Sequence, residues 1–199
     1  MAGMSGRTVC RPHARLLGAT FVALLGFALS CGSAGASGGS GVITVGGQIG
    51  PLQIDKSRRP AVIAFAGNPD AETFERVLGF ARYDALGYDC STTETAATFP
   101  IGNSGPFCRT VFFIDIAHHT LEDFVTTSAS YHEKRGVRIG TSVADAQRLL
   151  HNRVDRNCLV VLKASSGTAA LRISFTGGRA DTFVLHSLKR TAGLFHCTA

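Results

Sequence analysis

The sequence predicts an α+β fold of two tandem units, each a short helix packed on a small antiparallel β-meander, with one disulfide per unit. Three observations carry this expectation. Two segments 85 residues apart share one pattern, strand signals follow each of them, and four cysteines lie beyond residue 31. The chain of 199 residues is 45% hydrophobic and 17% charged, which excludes a wholly disordered or collagen-like polymer because enough apolar surface exists to form a core.

The paired segments run from Ile54 to Gly67 and from Ile139 to Asn152. Ile54 aligns with Ile139, Ser57 with Ser142, Ala61 with Ala146 and Phe65 with Leu150. In the second segment Ser142 and Asp145 have capping-box spacing, and Val143, Ala146, Leu149 and Leu150 recur at helical spacing. In the first, Ser57 is expected to cap, Pro60 falls in the first turn, and Gly67 can end the helix. Strands are expected at 110–116 and 124–128 after the first helix, and at 159–163, 171–176 and 183–188 after the second. Leu171, Ile173 and Phe175 alternate with Arg172 and Ser174, and Gly177-Gly178 supplies the positive φ of a hairpin turn.

The amino terminus reads as an export signal. Arg7, Arg11 and Arg15 precede an uncharged apolar run from Leu16 to Leu29, too short for the roughly 20 residues of a membrane-spanning helix. The run ends Ala28-Leu29-Ser30-Cys31-Gly32, which resembles the lipobox of bacterial lipoproteins. That resemblance implies cleavage before Cys31 and lipid, palmitate included, on that cysteine. The other reading is an ordinary signal peptide with Cys31 incidental, and then the chain is freely secreted. Residues 31–41 form a Gly/Ser tether with nothing to bury. The expected organisation is therefore a signal peptide over 1–30, the tether over 31–41, a first unit over 42–130 and a second over 131–199.

The full chain carries 20 basic and 14 acidic residues, for a net charge of +6, and three of the basic residues lie in the signal. The remaining Lys and Arg are dispersed, so no nucleic-acid surface is expected. Cys90, Cys108, Cys158 and Cys197 form an even set in an oxidising compartment. Four cysteines allow three pairings; Cys90–Cys108 with Cys158–Cys197 closes two local loops and is the expected one. No C-x-x-C spacing points to a metal.

The tandem helix-then-meander pattern, the Ile139-Gly-Thr-Ser-Val-Ala-Asp-Ala opening of the second helix and the local disulfides resemble the SmpA/OmlA envelope lipoproteins and the β-lactamase inhibitory proteins, and also uncharacterised secreted proteins of high-GC bacteria. The resemblance implies a fold over about residues 42–199. It implies no inhibitory residue, because the chain has no Trp and three Tyr, and the assembly lipoproteins have one unit rather than two.

Chemistry is sparse in the pattern. His118 and His119 lie near Asp115, Glu122 and Asp123, with His132 further along, but adjacent strand residues face opposite ways and a hairpin tip is the expected reading. The stretch around Ser104 places Pro106 where a nucleophile elbow needs glycine. Glu122-Asp123 and Asp70/Glu72 sit in polar runs read as solvated surface. No catalytic, metal or cofactor site is expected. The expected function is a non-catalytic envelope lipoprotein, tethered through Cys31 to the outer face of the bacterial cell membrane, that binds a protein or small ligand. The alternative is a secreted hydrolase whose site, including His119 or Ser104, is assembled from remote residues.

Overall fold

A computed structural model describes residues 40–78, 81–95, 97–101, 105–154, 159–163 and 169–189. Twelve strands and two short helices make up these residues. Strands β1 (Gly41–Ile43), β2 (Gln48–Ile49) and β3 (Leu52–Gln53) precede helix α1 (Arg59–Ala66). Then follow β4 (Ala71–Leu78), β5 (Ala81–Ser91), β6 (Phe99–Pro100), β7 (Phe107–Asp115), β8 (Leu121–Thr126) and β9 (Tyr131–Glu133). Helix α2 (Val143–Leu150) leads into β10 (Leu159–Lys163), β11 (Ala169–Thr176) and β12 (Arg179–Ser187).

The strands form two sheets, and this overturns the expectation of tandem helix-on-meander units. The larger sheet has the order β10-β11-β12-β8-β7-β5-β4, with β6 added beside β7. Its two halves join edge to edge where Phe183 pairs with Thr126 and Leu185 with Phe124. One continuous hydrogen-bonded sheet thus runs across the expected boundary at 130/131. The smaller sheet, β3-β2-β1-β9, draws strands from both halves, and β1 pairs parallel with β9. The described chain is therefore mostly β, with two eight-residue helices.

The physical reason for the misreading lies in β4 and β5. AETFERVL and ARYDALGYDCS carry Ala, Glu, Asp and Gly, residues of weak strand preference. Both faces of β5 are also covered: Leu86 and Tyr88 enter one buried cluster, Tyr83 and Ala85 the other, so no polar–apolar alternation survives.

The main core lies on one face of the large sheet. Leu86, Phe112, Phe124, Phe183 and Leu185 from its strands share one cluster with Val62 and Ala66 of α1, Ala146 and Leu150 of α2, and Ile43, Ile49 and Tyr131 of the small sheet. Tyr88, Phe112, Phe124 and Tyr131 form a continuous row of ring contacts through it, with centroids 5.6, 4.8 and 5.0 Å apart. The Tyr88 hydroxyl donates to the Gly67 carbonyl at 3.1 Å, fastening the end of α1 to β5, and burial pushes that phenol up to about 12. The opposite face carries a smaller cluster of Tyr83, Ala85, Ile101, Cys108, Val111, Phe113, Val125 and Val184.

The two helix starts differ from one another. At α2 the Ser142 Oγ accepts the Asp145 N–H at 3.1 Å and donates to the Asp145 carboxylate at 2.8 Å. Ser142→Ala is expected to cost about 1 kcal/mol, read as a lowered urea midpoint with an unchanged slope. At α1 the expected cap is not formed. Arg58 occupies the cap position with no side-chain bond, and the Ser57 Oγ instead accepts the Gln53 N–H at 2.9 Å, closing the turn between β3 and α1. Pro60 supplies the stiff first turn, and Gly67, at φ 85°, ends the helix.

Cys90 and Cys108 sit directly opposite each other on β5 and β7 and are joined by a disulfide. Within the intervening segment, Phe99 and Pro100 pair with β7 and Ile101 is buried. Gly177 and Gly178, at φ 60° and 74°, make the expected two-residue turn between β11 and β12. Cys31, Cys158 and Cys197, the signal, most of the tether and Ser104 lie outside the described residues.

Candidate functional site

Chemistry-bearing side chains converge at one end of the large sheet, around the turn joining β7 to β8. The Asp115 N–H donates to the Thr120 carbonyl and the His119 N–H to the Asp115 carbonyl, closing a tight turn in which His119 takes a φ of 55°. Asp115 is buried and holds this turn from within. Its Oδ2 accepts the His118 backbone N–H at 2.7 Å and lies 2.5 Å from the His118 ring Nδ1. The imidazole is thereby oriented by a carboxylate while most of its ring faces solvent.

Strand β8 then departs from alternation. Leu121 and Phe124 both enter the main core although they are three residues apart, a spacing that regular pleating places on opposite faces. The register shift between Phe113 and Ile114 accommodates this: Phe113 pairs with Asp123 and Ile114 with Leu121, leaving Glu122 as the extra residue. Such a bulge turns Glu122 and Asp123 toward the same side. Across β5, Tyr83 stands opposite Asp115 in the ladder.

A loop from elsewhere in the chain completes the group. Asp55, at φ 64°, donates its backbone N–H to the Leu121 carbonyl at 2.7 Å, and the Leu121 N–H donates to the Ser57 carbonyl at 2.6 Å. These bonds pin the β3–α1 connection against the start of β8. Lys189, just beyond β12, places its Nζ 3.4 Å from the Asp55 Oδ2. Asp55, Asp115, His118, Thr120, Glu122 and Lys189 line a cavity of about 380 Å³.

The electrostatics are those of crowded acids. Burial, then the charge of Glu122 and that of Asp55, pushes Asp123 up to about 7, against which the approach of the Tyr83 hydroxyl works. The Tyr83 phenol is raised by burial and by the charges of Asp123, Glu122 and Asp115. The Asp123 Oδ1 and the Tyr83 hydroxyl are buried, and neither completes a hydrogen bond of ordinary geometry.

Of the residues singled out from sequence, the fold brings together Asp115, His118, Glu122 and Asp123. It does not bring in His119, which is exposed at the turn, or His132, which lies in β9 of the other sheet. Glu72 accepts both contacts from the Arg59 guanidinium at 2.7 Å, and the Asp70 carboxylate accepts the Cys90 N–H. Asp55, Tyr83, Thr120 and Lys189 carried no sequence signal. Among the described residues, no group of three or more His, Cys, Asp or Glu side chains is arranged to hold a metal ion.

No protein-family model and no curated protein sequence matches the chain. Solved structures similar to it include the uncharacterised protein yfeY from Escherichia coli, at 14% identity and a TM-score of 0.43 over 73% of this chain and 99% of that one. A DUF4309 family protein, YjgB, from Bacillus subtilis subsp. subtilis str. 168 matches at 17% identity and 0.39, over 72% and 89% of the two chains. An extracellular protein containing a SCP domain, from Bacillus anthracis str. Ames, matches at 8% and 0.38, over 66% of this chain and 43% of that one. At these scores the likeness assigns neither a fold family nor a function.

Proposed function

We propose that the chain is an exported binding module, tethered to the outer face of the cell membrane through lipid on Cys31, and that its ligand site is the acidic cavity at the β7–β8 turn. The observation that carries this reading is the convergence of Asp55, Asp115 and Glu122 on one cavity, opposed by a single lysine and a histidine, in a chain that stays net basic without the three arginines of its signal. A concave site in which carboxylates outnumber cations favours a compact cation, a primary ammonium or guanidinium group, and the Thr120 hydroxyl can take part in its hydrogen bonding. No helix among the described residues is long and apolar enough to cross a membrane.

Calorimetric titration with agmatine and putrescine tests the site. Binding is expected for the wild type and at least tenfold weaker binding for Glu122→Gln, because one carboxylate is removed while its shape is kept. Equal affinities, or no binding by the wild type, overturn the assignment.

A hydrolytic role is the second reading, and the Asp115–His118 pair favours it. A carboxylate that orients an imidazole is the base half of a nucleophilic triad. Turnover of ester or amide substrates by the wild type, lost in His118→Ala with folding intact, replaces the binding module by an enzyme.

A further inference from the structure

We infer that the turn after β9 and the end of α2 form a membrane-facing surface that takes anionic lipid headgroups. This surface goes beyond the cavity, and it rests on the tethered reading for the bilayer being within reach.

The basic residues concerned are joined through local contacts. Lys134, Arg135 and Arg138 lie in the short turn that folds back on β9, where His132 bridges to Arg138. The Arg135 guanidinium donates to the Leu150 carbonyl at 2.9 Å, bringing this turn against the carboxyl end of α2, beside Arg153. Arg179 donates to the Gly140 carbonyl at 2.9 Å, and the Arg138 N–H donates to the Thr141 Oγ1, so Arg179 borders the same region. All five are exposed. The acids within this stretch are occupied: Glu133 is buried and held by Arg135 at 3.0 Å, and Asp145 pairs with Arg148 at 2.6 Å. Lys134, Arg138 and Arg153 make no ion pair among the described residues.

Its position relative to the amino terminus selects the partner. The first strand, β1, begins at Gly41, directly after the Gly/Ser stretch, and pairs in parallel with β9, so that Gly41 lies opposite Tyr131. The Lys134 N–H donates to the Ile43 carbonyl at 3.0 Å. The basic turn is thus fastened to the strand into which the tether runs. Gly41 follows Cys31 by ten residues, and a chain of that length reaches at most ~35 Å, so lipid on that cysteine would keep the bilayer within reach of this turn. Lysines and arginines brought against the bilayer in this way are drawn to anionic headgroups, an attraction that acts within about one Debye length.

The test is co-sedimentation of the full chain carrying Cys31→Ala, so that no acyl chain contributes, with phosphatidylcholine vesicles containing none or 30% phosphatidylglycerol. Preference for the anionic vesicles is expected, falling at least tenfold in 0.5 M salt and in Lys134→Glu/Arg138→Glu/Arg153→Glu. Lys56→Glu/Arg58→Glu, just past the β3 edge at the far side of the same small sheet, is expected to change binding less than twofold. Equal loss from both sets of reversals, or no preference for anionic vesicles, overturns the surface. Intact mass of the native chain reads the tether separately: a mass without acyl chains, with charge-dependent vesicle binding retained, supports the surface and overturns the tether alone.

Discussion

Replacing Asp123 by asparagine is expected to stabilise the fold above neutral pH and to flatten its dependence on pH between about 4 and 7. Burial and the Glu122 charge lift this carboxyl from its ordinary 3.8 to about 7 in the folded chain. The unfolded chain therefore releases its proton earlier than the folded one as pH rises. Between the two values the folded state binds more protons, so stability falls with rising pH through that window and the loss is complete above about 7. A difference of this size corresponds to an upper limit of roughly 4 kcal/mol. Asparagine keeps the shape, cannot ionise, and can donate where the carboxylate cannot. Urea unfolding at pH 5 and pH 8 measures the effect: the wild type should lose stability between the two, and Asp123→Asn should not. Glu122→Gln should recover part of the difference, because it removes the second cause of the shift. Parallel wild-type and variant curves across this range would show that Asp123 is ionised in the fold at pH 5 and that its cost lies elsewhere.

The same residue marks where sequence reasoning stops. Helix α2 was legible because everything that makes it is local: a serine at its start, an aspartate three residues on, and apolar residues at helical spacing. The β11–β12 hairpin was legible for the same reason, since Gly177 and Gly178 alone specify its turn. The joining of β8 to β12 was not, because Phe124 and Leu185 lie far apart in sequence and nothing local names a strand's neighbour. Strands of two or three residues, such as β2, β3 and β9, are too short to show a period. The acids were misplaced too: Glu122 and Asp123, read as solvated surface from the polar run they sit in, are both buried at the bulge that opens β8. Once that irregularity is allowed for, the polar residues within the stretch from Asp115 to Phe124 (DIAHHTLEDF) read as a candidate site rather than as solvated surface. Asp55 and Lys189 reach the cavity through tertiary pairing alone, and no spacing rule could have found them.

Phe112→Ala is expected to destabilise the fold by about 3–5 kcal/mol, a large share of the 5–15 kcal/mol that holds a domain of ordinary stability. Phe112 is fully buried at the centre of β7, with Leu86 and Phe124 as its neighbours on the flanking strands. Its ring contacts both Tyr88, edge-on at 5.6 Å, and Phe124 at 4.8 Å. Truncation leaves a cavity in the middle of the aromatic row. It also removes two ring contacts that each contribute about 0.5–1.5 kcal/mol beyond simple burial. Because Tyr88 in turn holds the end of α1, the loss should loosen the helix as well as the sheet. Phe74 supplies the comparison: it lies on the edge strand β4 and is 63% exposed, so Phe74→Ala should change stability by less than about 0.5 kcal/mol. Urea midpoints for the two variants, with the Cys90–Cys108 bond kept intact, decide the matter. A Phe112→Ala cost below about 1 kcal/mol would mean that the sheet collapses onto the vacated space, and that the aromatic row is not what joins the large sheet to its covering layer.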